Sequence, residues 1–377
     1  MLAQPSLWFV AIAFLCTIGP LVLFHELGHY WVARAFGVGA EQFSIGFGWE
    51  IAGWTDKRGT RWKIGWLPLG GYVRFVGDMN PTSQPDPNVQ LAPEVRSRAF
   101  HLRPWWQRFL IVLAGPVANF VLAIVIFAAF FLAFGMPNTP PVAGEVQAGS
   151  TAARIGLVEG DRILSVAGQE TASFEDLRRI VSIRPSADVI IRFEHDGNVR
   201  SAKARLGMDQ REDEFGQIYP VGLLGLQPPS DRSFDRMSVV EAIPAATVVT
   251  AKITRSIIDV VGQIVTGRRS MKEVGGPLRM AQVAGQQASL GIFEFTYLLA
   301  LFSINLGFIN LLPVPMLDGG HLVFYAAEAV RRRPVSERAQ DWAFRGGLAL
   351  LLALLLFTTV NDLATFGLFE RLGRLIG

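Results

Sequence analysis

The 377-residue chain contains few cysteines and few charged residues. Its single cysteine, Cys16, excludes an intramolecular disulfide and a cysteine metal cluster. Charged residues make up 18% of the chain and hydrophobic residues 50%, with a mean hydropathy of +0.33. An ordinary soluble protein carries about 25% charged residues. The composition therefore indicates an integral membrane protein.

Four stretches are long and apolar enough to cross a bilayer, because about 20 helical residues span a hydrocarbon core of about 30 Å. They are residues 7–24, which run on into HELGH, residues 109–134, residues 295–312 and residues 343–360. The alternative for each stretch is a buried core helix. No basic residue precedes the first stretch and no clear cleavage site follows it, so we expect it to be retained rather than removed as a signal peptide.

Positive charges cluster in two connections between these stretches. The first connection carries Arg34, Lys57, Arg58, Arg61, Lys63, Arg74, Arg96, Arg98, Arg103 and Arg108, and the last carries Arg331, Arg332, Arg333 and Arg338. Short basic connections stay in the cytoplasm. We therefore expect both connections there, with both termini and the long middle region on the periplasmic side. Topology explains these clusters better than nucleic acid binding, and no nucleic acid partner is expected.

The first connection has the pattern of a β-hairpin followed by a loop. Residues 43–75 combine glycine, tryptophan and β-formers with local alternation, which favours hairpin strands. Open strands cannot leave backbone groups unpaired in lipid, so this element should lie at the membrane interface or line a cavity. Residues 78–93 are rich in Pro, Asn, Asp and Ser and predict a loop. Trp105 and Trp106 then stand where an aromatic belt is expected.

The middle region changes to the character of a soluble α+β domain over residues 141–206. Short strands surround Gly-rich turns, FEDLRRIVS predicts a helix, and a hairpin is expected to turn at Asp196-Gly197. The segment GSTAARIGLVEGDRILSVAG resembles PDZ domains of bacterial envelope proteases. That resemblance implies recognition of a peptide or chain terminus by strand addition to a sheet edge. The alternative is a PDZ domain that serves only as a spacer or size filter.

Two segments connect this domain to the third apolar stretch. Residues 207–229 predict a polar linker with some strand character. Residues 237–267 have apolar positions at helical spacing, which indicates one or two amphipathic helices lying on the membrane or against the spans.

The first apolar stretch ends in a motif that carries metal chemistry. His25-Glu26-Leu27-Gly28-His29 fits HExxH, in which two histidines four residues apart share one helix face and bind one zinc. Glu26 would then activate a water molecule. A carboxylate at this depth of a membrane helix is costly unless it is paired or functional. The sequence therefore predicts a zinc site, against the alternative of an incidental interfacial cluster.

A catalytic zinc requires a third protein ligand and one open position. Asp318 is the only acid near the end of the third apolar stretch, and His321 is a rival candidate. Pro313 and Pro315 break the helix before Asp318, and broken backbone at membrane depth is tolerated where it lines a cavity. Asn310 is a candidate for binding substrate backbone or a developing oxyanion, against the alternative of a helix-packing residue.

Several motifs in this order resemble the site-2 protease family, and specifically the bacterial regulator-of-sigma-E protease group. They are HELGH, AGPVANF at residues 114–120, the PDZ segment, GGPLRMAQ at residues 275–282, and NLLPVPMLDGGH at residues 310–321. The resemblance implies a zinc intramembrane protease in which His25, His29 and Asp318 bind the metal and Glu26 is the base. It also implies that the hairpin presents the substrate as an extended strand. Some relatives have two tandem PDZ domains, whereas this chain has space and signature for one.

The predicted fold is a polytopic α-helical membrane protein of about four transmembrane helices, with a membrane-associated β-hairpin element and one inserted periplasmic PDZ domain. The predicted divisions are residues 1–36 for the first span with HExxH, 37–104 for the cytoplasmic-side hairpin and loop, 105–136 for the second span, 137–207 for the PDZ domain, 208–290 for the periplasmic linker and amphipathic helices, 291–330 for the third span with the LDG motif, and 331–377 for the basic loop, fourth span and tail.

The predicted function is zinc-dependent intramembrane proteolysis in the bacterial inner membrane, with the active site towards the cytoplasmic side. Asn310, Pro313 and Pro315 are the predicted substrate-binding residues. By resemblance, the substrates are single-pass proteins such as anti-sigma factors already shortened by another protease, and remnant signal peptides. The main alternative is a membrane adaptor that binds peptides through the PDZ domain and has lost proteolysis. A second alternative, a divalent-ion carrier, lacks the several intramembrane acids that a transport path requires.

Overall fold

The computed structural model describes residues 5–77, 96–212, 218–229 and 233–365. The predicted loop at residues 78–93 and the tail beyond residue 365 lie outside the described residues. The chain divides into two compact units. The first comprises residues 1–127 and 275–360, and the second comprises residues 128–274 and 361–377.

The described residues form the following helices and strands. The helices are α1 (Leu7–Ala35), α2 (Trp105–Phe134), α3 (Thr151–Arg154), α4 (Phe174–Ser182), α5 (Val239–Val265), α6 (Pro277–Leu290), α7 (Ile292–Leu311), α8 (Asp318–Arg331) and α9 (Glu337–Thr365). The strands are β1 (Ala40–Thr55), β2 (Arg61–Phe75), β3 (Met136–Asn138), β4 (Arg162–Val166), β5 (Gln169–Glu170), β6 (Asp188–His195), β7 (Asn198–Arg205), β8 (Gly207–Glu212), β9 (Ile218–Leu223) and β10 (Ser233–Asp235).

Four of these helices, α1, α2, α7 and α9, are long and apolar enough to cross a membrane by length and composition. The prediction of four apolar spanning helices is thus confirmed at that level. The fourth helix is longer than predicted. It begins before residue 343 and continues past Asp362 to Thr365. Large side chains such as Trp8, Val121 and Leu356 are exposed on these helices. Apolar exposure of this kind suits a lipid environment.

The first unit packs its β-structure against α1 and α2. Residues 40–45 of β1 pair with residues 71–75 of β2 on one side and with residues 61–64 on the other. Tyr30, Phe43, Phe75, Phe100 and Ile111 form the buried cluster beneath this sheet. The stretch 71–75 is therefore an outer strand of the described sheet, fixed to the helices by its aromatic side chain.

A second contact in the first unit holds α6 against α1. Ala13, Ala284 and Leu298 form a small buried cluster. A Cβ atom on Gly285 would lie 2.7 Å from Val10 Cγ2. Helix α6, which begins within the GGPLRMAQ motif, therefore approaches α1 closely because residue 285 has no side chain.

The second unit contains the predicted α+β domain. Its four-stranded antiparallel sheet has the order β5-β4-β6-β7. Ile163, Ile180, Ile191 and Phe193 lie in its apolar core with 0–2% of their surface exposed. The hairpin between β6 and β7 turns at Asp196-Gly197, where both residues have positive φ, as a two-residue type I′ turn requires.

The packing of this domain continues beyond residue 207, where the sequence predicts its end. The antiparallel pair β8–β9 follows, and Leu224 is buried in the same core as Ile191. A Cβ atom on Gly222 would overlap the backbone carbonyl of Val181 in α4. Residues 208–210 of this hairpin are exposed, and the polar composition of the segment gave no sign of the apolar residues that complete the core.

Helix α5 is a single helix, and its polar residues bind the α+β domain. Lys252 and Arg179 both form ion pairs with Asp176, and Arg179 also donates to Ser256 Oγ at 2.6 Å. Burial opposes the charge of Asp176, but the hydrogen bonds from Lys252 and Arg179 hold its pKa below the ordinary value. Asp259 in α5 pairs with Arg184. The helix is therefore attached to this domain by charged contacts.

Candidate metal centre

Helix α1 brings the HExxH residues onto one buried face. His25, Glu26 and His29 are 8%, 9% and 8% exposed, respectively. The two imidazole rings meet edge to face with centroids 4.8 Å apart. Residues four apart on a helix lie one turn above each other, so this arrangement follows from local structure alone.

The third acid reaches this face because the chain breaks between α7 and α8. Pro313 and Pro315 follow the end of α7, and Met316 has a φ of 84°. Asp318 is then the first residue of α8. A Cβ atom on Gly320 would lie 2.6 Å from the carbonyl oxygen of Val314, so the glycine permits the tight return of the chain.

His25, His29 and Asp318 converge with the spacing of ligands around one cation. The Nε2 atoms of the two histidines are 3.2 Å apart, and Asp318 Oδ2 lies 3.1 Å from His25 Nε2 and 3.5 Å from His29 Nε2. Zinc bonds of 2.0–2.1 Å in tetrahedral geometry place ligand atoms about 3.3 Å apart. The three side chains thus fit a zinc ion and form a group that can hold a metal.

One candidate ligand atom of this group has no hydrogen-bond partner among the described residues. Asp318 Oδ2 is buried and forms no hydrogen bond with any described group, despite its short distances to the two histidines. A buried carboxylate oxygen without a donor costs free energy unless a cation binds it. This orphan oxygen is an independent sign that the donor set fits a metal ion.

The remote nitrogens of both imidazoles have partners on α2. His29 Nδ1 lies 2.9 Å from the carbonyl oxygen of Ile111, and His25 Nδ1 lies 3.1 Å from the amide of Asn119. Such contacts orient a metal-binding imidazole and set which nitrogen carries the proton. Sequence reasoning did not identify Asn119 as a functional residue.

Two glycines let α1 and α2 approach closely, and one of them leaves space for the His29 ring. A Cβ atom on Gly115 would overlap His29 Nε2, and one on Gly28 would overlap the carbonyl oxygen of Ala114. The motif AGPVANF therefore supplies three features where α2 passes the histidine pair. They are the space at Gly115, the backbone carbonyl of Ala114 and the side-chain amide of Asn119. The motif was visible in the sequence, but its spacing alone did not show which residues it contacts.

A cavity of about 310 Å³ opens onto the converging side chains. It is lined by Val22, His25, Glu26, His29, Gly70, Gly71, Tyr72, Val73, Phe75, Phe100, Val112, Leu306, Asn310, Met316, Leu317, Asp318, His321 and Tyr325. A catalytic zinc site keeps one position open for water or substrate, and this cavity supplies that access. Asn310 and His321 thus share the cavity with the metal-binding group, and His321 is not one of its three members.

The two prolines predicted to bind substrate are not among the residues that line the cavity. Pro315 packs instead against α8 and α9, since Cβ atoms on Gly320 and Gly347 would collide with it. The structure thus shows Pro315 shaping the turn that carries Asp318. A rigid turn here fixes the carboxylate without needing contact with a substrate.

An ion pair fixes α8 to α2 beside the cavity. Arg108 donates to both carboxylate oxygens of Glu328 at 2.7 and 2.8 Å. The guanidinium also lies 4.8 Å from the ring centroid of Tyr325, which lines the cavity. Both hydrogen bonds come from Arg108 Nη2, and hydrogen bonds between ionised groups are stronger than those between neutral groups. They hold the helix that begins with Asp318 at a defined position.

Proteins of known sequence resemble this chain over nearly its whole length. A protein from Rhizobium meliloti that is named a zinc metalloprotease is 42% identical to this chain over 355 residues. The match covers 93% of this chain and 95% of the relative. Another from Agrobacterium fabrum is 40% identical over 361 residues, covering 94% and 95%. Metalloprotease MmpA from Caulobacter vibrioides is 39% identical over 388 residues, covering 97% and 98%.

Among solved structures, the PDZ domain of an SdrC-like protein from Listeria monocytogenes covers 24% of this chain and 87% of its own, with 19% identity and a TM-score of 0.20. A TM-score this low supports no conclusion about the fold. The model of peptidase family M50, in contrast, matches residues 13–354. The match and the relatives confirm the predicted zinc metalloprotease. The chain belongs to peptidase family M50, a family of membrane zinc metalloproteases.

Proposed function

We propose that this chain is an intramembrane endopeptidase that hydrolyses peptide bonds in the membrane segments of single-pass proteins. The observation that carries the proposal is the position of Glu26. It shares one buried cavity with the converging His25, His29 and Asp318 and with the outer strand of the sheet. A base, a metal-binding group and a place for extended peptide are thus within one site.

In this proposal His25, His29 and Asp318 hold zinc, and Glu26 is the general base. A bound zinc ion supplies a Lewis acid that polarises the scissile carbonyl and acidifies a water molecule. The carboxylate of Glu26 takes a proton from the attacking water and delivers it to the nitrogen of the leaving amine. Burial of Glu26 keeps bulk water from competing for that proton.

The sheet is proposed to present the substrate. Residues 71–75 pair with β1 on one side, while Gly70, Gly71, Tyr72 and Val73 line the cavity. A Cβ atom on Gly71 would lie 3.2 Å from Glu26 Cγ, so the strand passes close to the base because residue 71 is a glycine. A substrate helix must unwind before its carbonyls can react, and an unpaired strand edge binds extended peptide through main-chain hydrogen bonds.

Asn310 is proposed to bind the substrate backbone or the developing oxyanion. It lies in the last turn of α7 and lines the cavity, and Asp318 lies at the start of the next helix. An amide can donate to an oxygen that gains charge in the transition state. Pro313 and Pro315 would support peptide binding indirectly, because they keep the segment between α7 and Asp318 out of a helical conformation.

The location and substrates are part of the same proposal. In this proposal the active site lies towards the cytoplasm of a bacterial inner membrane, and both termini and residues 137–207 lie in the periplasm. The proposal is supported by the positions of the two basic connections, since short basic connections stay in the cytoplasm. That middle region is proposed to be a PDZ domain, now extended to about residue 226. It binds a peptide or chain terminus, or excludes proteins with bulky outer domains. Substrates would then be shortened anti-sigma factors and remnant signal peptides.

The test is cleavage of a single-pass substrate with a truncated outer domain, tagged at both ends. Membranes contain the unaltered protein, Glu26→Gln, or Glu294→Gln, in which an exposed glutamate at the start of α7 loses its charge. We expect a shorter fragment with the unaltered protein and with Glu294→Gln. Glu26→Gln should lower the rate by about 10²- to 10⁴-fold, since that is the range for loss of a general base.

Two further arms separate the alternatives. A zinc chelator should stop cleavage by the unaltered protein. If none of a panel of truncated substrates is cut while the periplasmic region still binds peptides, the adaptor function replaces the protease function. Cleavage that persists at full rate in Glu26→Gln would show that another group is the base.

A further inference from the structure

The amide of Asn119 lies against the remote ring nitrogen of His25. Its side chain is fully buried, and its Nδ2 atom is placed 3.1 Å from His25 Nδ1. Its other amide atom, Oδ1, forms no hydrogen bond with any described group. Amide oxygen and nitrogen have nearly the same shape, so which atom faces the ring follows from hydrogen-bond chemistry rather than from packing.

The two orientations have opposite consequences for a metal. If Asn119 Nδ2 donates to Nδ1, the neutral ring of His25 carries its proton on Nε2. That atom lies 3.1 Å from Asp318 Oδ2 and 3.2 Å from His29 Nε2, at the point where the three side chains converge. A protonated Nε2 has no lone pair for a metal ion. If Oδ1 faces the ring, Nδ1–H donates to it and the lone pair of Nε2 is free.

His29 shows the arrangement that metal binding needs. Its Nδ1 atom lies 2.9 Å from the carbonyl oxygen of Ile111, which can only accept a hydrogen bond. The proton of His29 is therefore on Nδ1, and its Nε2 lone pair points towards Asp318. Only the orientation of one amide decides whether His25 matches it.

We propose that Asn119 is the positioning residue that sets the metal-binding form of His25, with Oδ1 accepting a hydrogen bond from Nδ1–H. The inference rests on the proposed ligands His25, His29 and Asp318. Hydrogen bonds from a histidine ligand to an acceptor of this kind fix the ring and raise its basicity, and their loss costs about 10- to 100-fold in metal affinity.

The backbone around Asn119 is held independently of its amide. Ser303 Oγ in α7 donates to the carbonyl oxygen of Asn119 at 2.7 Å, and both residues are fully buried. Gly307 lets α7 approach this turn, since a Cβ atom there would lie 3.0 Å from the carbonyl oxygen of Pro116. The close approach of α7 at Gly307 thus holds the turn that carries the amide, while the Ser303 hydrogen bond stabilises the backbone there without contacting His25. The contact between Ser303 and Asn119 offers a matched control.

The experiment measures zinc affinity of the purified full-length protein by competition with a chelator. Asn119→Asp keeps an acceptor and loses the amide donor, whereas Asn119→Leu loses both at similar size. We expect Asn119→Leu to bind zinc about 10- to 100-fold more weakly and Asn119→Asp to bind at least as tightly as the unaltered protein. Ser303→Ala should lower the unfolding temperature without changing the zinc affinity.

Three outcomes would overturn the inference. They are wild-type zinc affinity in Asn119→Leu, equal weakening in Asn119→Asp and Asn119→Leu, and a loss in Ser303→Ala as large as in Asn119→Leu. Asn119→Ala repeats the test if the leucine variant does not fold, and the visible spectrum of the Co²⁺-loaded proteins reports distortion of the ligand geometry. Asp318→Asn in the same assay tests the ligand set itself, so a failure there is distinguished from a failure at Asn119.

Discussion

Asp318 in the first unit is partly buried and Asp176 in the second is buried, and the two carboxylates have opposite kinds of neighbours. Asp176 is bonded by Lys252 and Arg179, which neutralise its charge. Asp318 faces two imidazoles, and its buried Oδ2 atom forms no hydrogen bond with any described group. Both carboxylates lose water on folding, but only Asp176 has partners that are always charged at neutral pH.

The difference distinguishes an acid that stabilises a fold from one that is available to a ligand. A buried carboxylate with two cationic partners lowers the free energy of the folded state. A buried carboxylate with an orphan oxygen raises it, and such a cost persists where binding compensates for it. The metal centre is therefore expected to be a locally destabilised part of the metal-free protein.

The largest effect is expected from removing the charge of Asp318. Asp318→Asn should lower zinc affinity by more than about 100-fold, because loss of a ligand exceeds the effect of losing a supporting hydrogen bond. The metal-free variant should unfold at a temperature equal to or above that of the unaltered protein. Zinc competition and thermal unfolding measure the two quantities. A lower unfolding temperature of metal-free Asp318→Asn would contradict the comparison.

A substitution that only adds bulk should produce a smaller loss of zinc affinity. Gly115→Ala places a methyl group where His29 Nε2 lies, so the ring must move away from Asp318. We expect zinc affinity to fall by more than about 10-fold and cleavage to fall with it. Gly19→Ala is the matched control, since a Cβ atom there meets nothing within 4 Å. Unchanged zinc binding in Gly115→Ala would mean that the site adapts to the methyl group.

The apolar core of the second unit should respond in stability and not in metal binding. Phe193 is 2% exposed in β6, and its replacement by alanine should destabilise the domain by about 3–5 kcal/mol. Hydrogen exchange of the β6 amides in the full-length protein measures the loss. Val199→Ala in the neighbouring strand, where the side chain is 57% exposed, should change little. Zinc affinity should be that of the unaltered protein in both variants, and a change would couple the two units.

The smallest effect is the pH dependence of the contact between α4 and α5. The pKa of Asp176 is held below its ordinary value of 3.8 by Lys252 and Arg179, against the opposing effect of burial. Its stabilisation is thus fully present above pH 3.8 and is lost as the pH falls through the lower folded pKa. Charged hydrogen bonds of this kind contribute about 1.5–3 kcal/mol.

Asp176→Asn should remove that contribution at neutral pH and flatten the acid limb of the stability curve. Exchange protection of α5 amides, followed as the pH is lowered, gives the measurement. If the asparagine variant and the unaltered protein lose protection at the same pH, the ion pairs do not hold α5 in place.

Much of this site was predictable from sequence because it depends on local geometry or on scarcity. Helical spacing alone puts His25 and His29 on one face, and Asp318 stood out as the only acid near the end of an apolar stretch. The turn at Asp196-Gly197 was predictable for a similar reason, since glycine tolerates the positive φ that a two-residue hairpin needs. Each of these inferences uses neighbours in sequence or a single unusual residue.

Residues that act across the fold were not predictable in this way. Gly115 and Asn119 in α2, and Gly71 in β2, carry no charge and have ordinary neighbours. Their roles come from what α1 places beside them, more than 40 residues away along the chain. Leu224 was missed for the same reason, because a polar segment gave no sign of an apolar side chain that completes a distant core.

The sequence by itself determined the class of protein, its four apolar helices and the zinc metalloprotease chemistry, and it predicted Glu26 as the base. These follow from composition, from the length needed to cross lipid and from the 3.6-residue helix repeat. Only the tertiary structure decided which groups contact the remote ring nitrogens of His25 and His29 and which strand edge lies over Glu26. It also decided which carboxylate oxygen has no hydrogen-bond partner among the described residues. Those relations join residues far apart in the chain, and they depend on packing distances that no local pattern encodes.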